Sequence, residues 1–247
     1  MNRNEFLEAL PLTRIVLKLT GATLEICTDD IEDVHVMVSG ADGDVKSLRI
    51  AVSGNQLLVE QPAVSLQKNP IANSWLQVTI RLPLTWKGRI EGRTISGLIN
   101  ARCLSGTDLT LETVSGLITA NALVFQAATI RSVTGDIRIV DMVCDKASLH
   151  STSGDISLQA GSLAHCTLGA ITGNAVLSLR APFDSVTATS VVGDLAIDAP
   201  VEECNAVLRS VSGRISTDGV SIVGEAPVTV HFSTVSGSLD LSRTDET

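Results

Sequence analysis

Leu111-Glu112-Thr113-Val114-Ser115-Gly116-Leu117-Ile118-Thr119-Ala120, LETVSGLITA, decides the fold, because the chain writes nearly this line eight times. TISGLI stands at 94–99, SVTGDI at 132–137, STSGDI at 151–156 and AITGNA at 170–175. SVVGDL at 190–195, SVSGRI at 210–215 and TVSGSL at 234–239 complete the set. The motif glycines are Gly97, Gly116, Gly135, Gly154, Gly173, Gly193, Gly213 and Gly237, spaced 19, 19, 19, 19, 20, 20 and 24 residues apart. A period near 20 residues marks a solenoid, in which each repeat buries its apolar face only by stacking on its neighbours.

Aligned on the glycine, the columns are chemically uniform. Five residues before it stand Leu111, Ile130, Leu149 and Leu168; two before it, Ile95, Val114, Val133, Ile171 and Val191; two after it, Ile99, Ile118, Ile137 and Ile156. Ala120, Ile139 and Leu158 exemplify the fourth position after it. Coils about 4.8 Å apart are expected to bury all these ladders in one core. The fifth and second positions before the glycine fall on opposite faces of a simple strand, so a bulge or corner is expected between them. The glycine sits where a corner needs positive φ or close backbone approach.

Composition narrows the function. Hydrophobic residues make up 44% of the 247, aromatics only 2%, with no Tyr, so the core must be aliphatic. The formal charge of −9, without any Lys/Arg cluster, argues against nucleic acid and against an anionic membrane face. Charges at Arg3, Glu5, Glu8, Arg14 and Lys18 interrupt the N-terminal segment, and no apolar run is long enough to span a membrane. A cytoplasmic protein is expected, or an exported one if a leader precedes this sequence. Cys27, Cys103, Cys144, Cys166 and Cys204 are scattered and odd in number, which suggests buried thiols rather than a disulfide framework.

Ahead of the repeats, Asn4 to Leu10 looks like a short helix stopped by Pro11. Alternation at Val34, Val36, Val38 and at Leu76, Val78, Ile80, Leu82 predicts half-buried strands, with turns at Ala41-Asp42-Gly43-Asp44 and Gly54-Asn55. Gln61 to Ser74 reads as the longest irregular piece. The expected organisation is an N-terminal helix and strand region over 1–91 that caps an eight-copy solenoid over 92–247, one continuous all-β unit.

VTIRLPLTWKGRIEGRTISG at 78–97, followed by the T-V-S-G-D-I repeats, resembles a bacterial family of β-strand-repeat proteins labelled putative adhesins, a domain family of unknown function. The resemblance runs from about Ile15 to Leu241. It implies a right-handed β-helix-like solenoid and a link to the cell envelope, and it carries no catalytic residues.

The residues give few candidates for chemistry. Asp136, Asp155, Asn174 and Asp194 follow the glycine in consecutive coils and form a weak candidate cation ladder. Their plainer role is turn geometry. Two hydroxyl ranks, Thr94, Thr113, Ser132, Ser151, Ser190 and then Ser96, Ser115, Thr134, Ser153, Thr172, are expected to bond one another and the backbone at the corner. His35, His150, His165 and His231 are isolated, and no nucleophile elbow or phosphate loop occurs. No cofactor is called for. The expected function is a non-catalytic, adhesin-like binding module with a protein or glycan partner. A self-assembling scaffold of the bactofilin type is the alternative, joined through the solenoid ends near Leu239–Leu241; a polysaccharide-active enzyme fits less well.

Overall fold

The computed structural model describes residues 1–9, 11–62 and 75–244. Most of the irregular piece expected over Gln61 to Ser74 lies outside them. From Ile99 onward the chain runs in strands of 17 residues, Ile99–Ser115, Ile118–Thr134, Ile137–Ser153 and Ile156–Thr172, separated at the motif glycines. Neighbouring strands pair in parallel with a 19-residue offset, Ile118 against Ile137 and Ile130 against Leu149. Each repeat is therefore one rung, named below by its glycine.

Inside the stack the columns two and four after the glycine are fully buried: Ile99, Ile118, Ile137 and Ile156, then Ala101, Ala120, Ile139 and Leu158. So is the column five before it at Leu111, Ile130, Leu149, Leu168, Ala188 and Phe232, while Leu208 in the end rung is half-buried. A further inner column, Leu109, Ala128, Ala147 and Cys166, lies seven before the glycine. A second corner has no glycine at all: Cys103, Ala122 and Asp141 hold φ of 55°, 54° and 59° in three successive rungs. Left-handed backbone at a residue with a Cβ costs about 1–2 kcal/mol, which the surrounding ladder must offset.

The expectation for the column two before the glycine is corrected. No bulge separates it from the buried column, and strand parity simply holds: Ile95, Val114, Val133, Ile171 and Val191 point outward, each about half exposed, from 45% at Val133 to 54% at Ile95. The residue three before the glycine turns inward instead, so that Thr94, Thr113, Ser132, Ser151 and Ser190 are buried.

The rungs do not stack in chain order. Gly193 donates its N–H to Ser236, and Gly237 donates its own to Ser212, both at 2.9 Å. The last glycine rung (Thr229–Ser236 and Leu239–Arg243) is thus inserted between the Gly193 rung and the Gly213 rung. The stack ends on Glu203–Ser212 with Ile215–Asp218, where Ser221–Ile222 pairs with Glu203 and Cys204, and not on the Leu239–Leu241 edge anticipated from sequence. Leu239 is wholly buried, whereas Ile215 in the same repeat position is 44% exposed and Val211 83% exposed.

The N-terminal end shows the same transposition. Arg14–Gly21 with Thr23–Asp29 forms a rung directly against the Gly97 rung, Ala22 standing in the glycine column. Gln56–Glu60 with Leu76–Pro83, later in sequence, stacks outside it. Beyond these, Arg49–Ser53 and Val34–Gly40 add antiparallel strands.

Two local expectations are corrected here. Asn2–Leu7 is a strand rather than the start of a helix, paired antiparallel with Val34–Gly40. The open edge of that strand captures it, and Phe6 packs edge-on against His35 with ring centroids 4.5 Å apart. The expected turn at Ala41–Asp44 instead opens the helix Asp42–Ser47, because Val45 and Leu48, three apart, both reach the core. Asp42 and Asp44 in its first turn and Lys46 in its last suit the helix dipole.

The thiols divide. Cys144, Cys166 and Cys204 are buried as expected, but Cys27 is half-buried and Cys103 exposed. Burial pushes the Cys144 thiol up to about 11 and that of Cys166 up to about 12, so neither is a thiolate nucleophile at neutral pH.

Candidate functional site

At each glycine corner φ lies between 136° and 159°, and the Cα faces the carbonyl of the glycine in the adjacent rung, or of Ala22 in the case of Gly97. The corner leaves one backbone N–H per rung to be satisfied, that of the residue after the glycine. The acidic ladder does this. Asp136 Oδ1 accepts from the N–H of Asp155 at 3.0 Å, Asp155 from Asn174 at 2.8 Å, Asn174 from Asp194 at 2.9 Å and Asp194 from Ser238 at 2.7 Å. Arg138 closes on Asp136 at 2.7 Å. The structure therefore brings the four candidate residues into one line and gives each an oxygen-to-backbone bond. Among the described residues no group of three or more His, Cys, Asp or Glu side chains is placed to hold a metal ion.

The hydroxyl ranks also separate by face. The outer rank bonds the backbone of the neighbouring rung, Thr134 to the Val114 carbonyl at 3.0 Å and Thr172 to the Thr152 carbonyl at 3.1 Å. In the inner rank Ser151 and Thr234 reach glycine carbonyls at 3.5 and 3.4 Å. The oxygens of Thr113, Ser132 and Ser190 are buried without a partner. The inner hydroxyls are thus withdrawn from solvent, while the outer rank is exposed.

What the corner does present is a groove of about 870 Å³ running along the rod from Lys18 and Leu19 to Val191. Its form follows from parity. Residues four and two before each glycine point outward on the same side of the strand, and the inward residue between them leaves only backbone as the floor. One wall is the aliphatic ladder Ile95, Val114, Val133, Ile171, Val191, interrupted by Thr152. The other is Lys18, Arg93, Glu112, Arg131 and His150, then Gly169 and Thr189.

The charged wall is ordered by its own pairs. Arg93 Nε lies 3.1 Å from one Glu112 oxygen, and Arg131 Nη1 lies 3.9 Å from the other. Such exposed pairs contribute about 0–1 kcal/mol each, so they set side-chain direction more than stability. His150 bonds Ser148 Oγ through Nε2 at 3.0 Å and leans across Gly169, where a Cβ would overlap its ring. Burial, and then the nearby Arg131, push the imidazole below its usual range. It is therefore neutral at pH 7, leaving Lys18, Arg93 and Arg131 against Glu112 along that wall.

The sequence held the groove in plain view as the alternation of columns. Hydrophobicity alone assigned the valine ladder to the interior, and only parity contradicted it. The charged row carries no periodic signal, because its members differ in every rung.

The comparisons with known proteins agree with the stacked architecture. No curated protein matches the sequence. Among solved structures, a putative adhesin from Bacteroides fragilis superposes with a TM-score of 0.58 at 17% identity, covering 99% of this chain and 97% of that one. A putative adhesin from Parabacteroides distasonis gives a TM-score of 0.59 at 9% identity, covering 98% and 97%. At such identities the likeness speaks for the fold. Residues 12–246 match the family described as Toastrack DUF4097, and the chain belongs to that family.

Proposed function

We propose that the protein is a non-catalytic binding module that takes an elongated ligand along the corner groove. One observation carries this: five aliphatic side chains, which a folded chain would ordinarily bury, stand half exposed in register across six rungs, facing a charged wall. An apolar fluorescent dye, anilinonaphthalene sulfonate, tests it. Val133→Asp is expected to weaken dye binding at least tenfold with an unchanged circular dichroism spectrum. Val176→Asp, an exposed valine outside the groove, is expected to leave binding as it was. Equal binding by wild type and the Val133 variant would remove the groove from consideration.

The bare rung supports a second reading, pairing of two copies end to end. Beyond Glu203 and Cys204, which pair with Ser221–Ile222, the strands Glu203–Ser212 and Ile215–Asp218 are paired on one side only among the described residues, beside the exposed Val211 and Ile215. The opposite end of the stack finishes in antiparallel strands and the helix Asp42–Ser47. One bare rung per copy closes on a second copy by a two-fold axis and stops there. Light scattering across a hundredfold range of concentration is expected to show a dimer that Ile215→Lys returns to monomer. A wild-type protein that stays monomeric throughout sinks this reading.

A further inference from the structure

We infer that the groove ligand is a single unbranched alkyl chain carrying an anionic head, with the head at the Lys18 end. This deepens the groove reading above and rests on it.

The floor decides against ligands that bring many polar groups. Its backbone amides are committed to the parallel ladder, residue by residue, as in Thr113 against Ser132 and Ser132 against Ser151. The groove runs across the strands, so a peptide lying in it could not continue the sheet. Its own N–H and carbonyl groups would face an aliphatic wall unpaired, at a cost of about 1–3 kcal/mol for each one desolvated. A sugar chain meets a similar difficulty. The hydroxyls beneath the floor, Thr113, Ser132 and Ser190, are turned inward, and among the described residues no Phe, Tyr or Trp lines the groove to act as a platform. An alkyl chain needs neither donors nor platforms. It needs a long, narrow, aliphatic surface, and from Ile95 to Val191 the ladder spans five rung steps, roughly 24 Å.

Charge places the head. The molecule carries a formal −9, yet the charged wall has Lys18, Arg93 and Arg131 against Glu112, with Glu60 one rung beyond Lys18. Arg93 and Arg131 are drawn to Glu112, whereas among the described residues Lys18 makes no ion pair. The wall loses its charge toward the other end, at Gly169 and Thr189. A carboxylate at Lys18 and a tail along Val114, Val133 and Ile171 match this gradient.

The test is displacement of the groove-bound dye by decanoate, dodecanoate and tetradecanoate below their micellar concentrations, with dodecanol in parallel. Affinity is expected to rise about fourfold per methylene, so about fifteenfold from each acid to the next. Dodecanoate should exceed dodecanol by about two- to fivefold, and Lys18→Gln should erase that margin while sparing dodecanol. Val133→Asp should abolish both. If no chain displaces a dye that still depends on Val133, the alkyl ligand is wrong and the groove stands. Should the dye itself ignore Val133, both fall. Affinity independent of chain length overturns the inference. So does binding to phosphatidylcholine–phosphatidylglycerol vesicles that survives Val133→Asp, which assigns the contact to a membrane surface.

Discussion

Gly135→Ala is expected to lower the melting temperature by on the order of 10 °C, while Gly43→Ala leaves it unchanged or slightly higher. At Gly135 φ is 140°, and a Cβ would overlap the Gly116 carbonyl oxygen and approach its carbon to 2.8 Å. Both obstacles are backbone, so no side chain can swing aside. The positive φ costs an L-residue about 1–3 kcal/mol, and the forced separation of two rungs adds about as much. A loss of about 2–6 kcal/mol follows, and for a chain of this size each kcal/mol moves the transition by about 2–4 °C. At Gly43, in the helix, a Cβ would meet nothing within 4 Å. Alanine there gains up to about 1 kcal/mol of helix propensity. Thermal unfolding followed by circular dichroism compares the two directly. Equal melting temperatures would mean that the glycine corner is not close-packed.

The second expectation separates two residues that the repeat treats as equivalent. Leu239→Ala is expected to cost about 2–5 kcal/mol, Ile215→Ala about 0.5 kcal/mol or less. Both stand two after a motif glycine. Leu239 lies between Leu195 and Ile215 in the ladder and has no exposed surface; Ile215 has a rung on one side only. Urea denaturation of the two variants reads the difference. If the stack followed chain order, Ile215 would be the buried residue of the pair and the ranking would reverse. Ranking the two therefore tests the insertion of the last rung without a crystal.

Legibility of the fold in the sequence varies with how each feature is encoded. Gly97 to Gly193 recur at a nearly constant interval because one backbone conformation is demanded once per rung, and only glycine meets it without overlap. The inner columns were readable for a related reason: a side chain in a stack has its own copies as neighbours, so Ile118 calls for Ile99 and Ile137. The outward valines were misplaced because β-branched residues suit a strand on either face, and the propensity that selects Val133 says nothing about which way it points. The rung order escaped because pairing between strands that are not sequence neighbours leaves no local trace. The step of 24 residues before Gly237, against 19 or 20 elsewhere, was the one visible sign. The rung Arg14–Asp29 has Ala22 where the repeats have glycine, which hid it from the alignment. Asn2–Leu7 illustrates the limit from another side: its strand is dictated by the partner edge at Val34–Gly40, and its own letters favoured a helix.

The transposed rungs bear on how such a protein can change length over generations. A tandem duplication at either end would place a new copy where the chain must instead leave a slot for a later or earlier segment, and the pairing there would fail. Between Gly97 and Gly173 the rungs do follow one another at 19 residues. An extra copy gained there would slide both ends apart by about 4.8 Å and disturb neither. Growth is thereby confined to the middle, and each added copy lengthens the valine ladder by one residue. The same event that extends the rod extends the surface it offers, so ligand length and repeat number are free to evolve together.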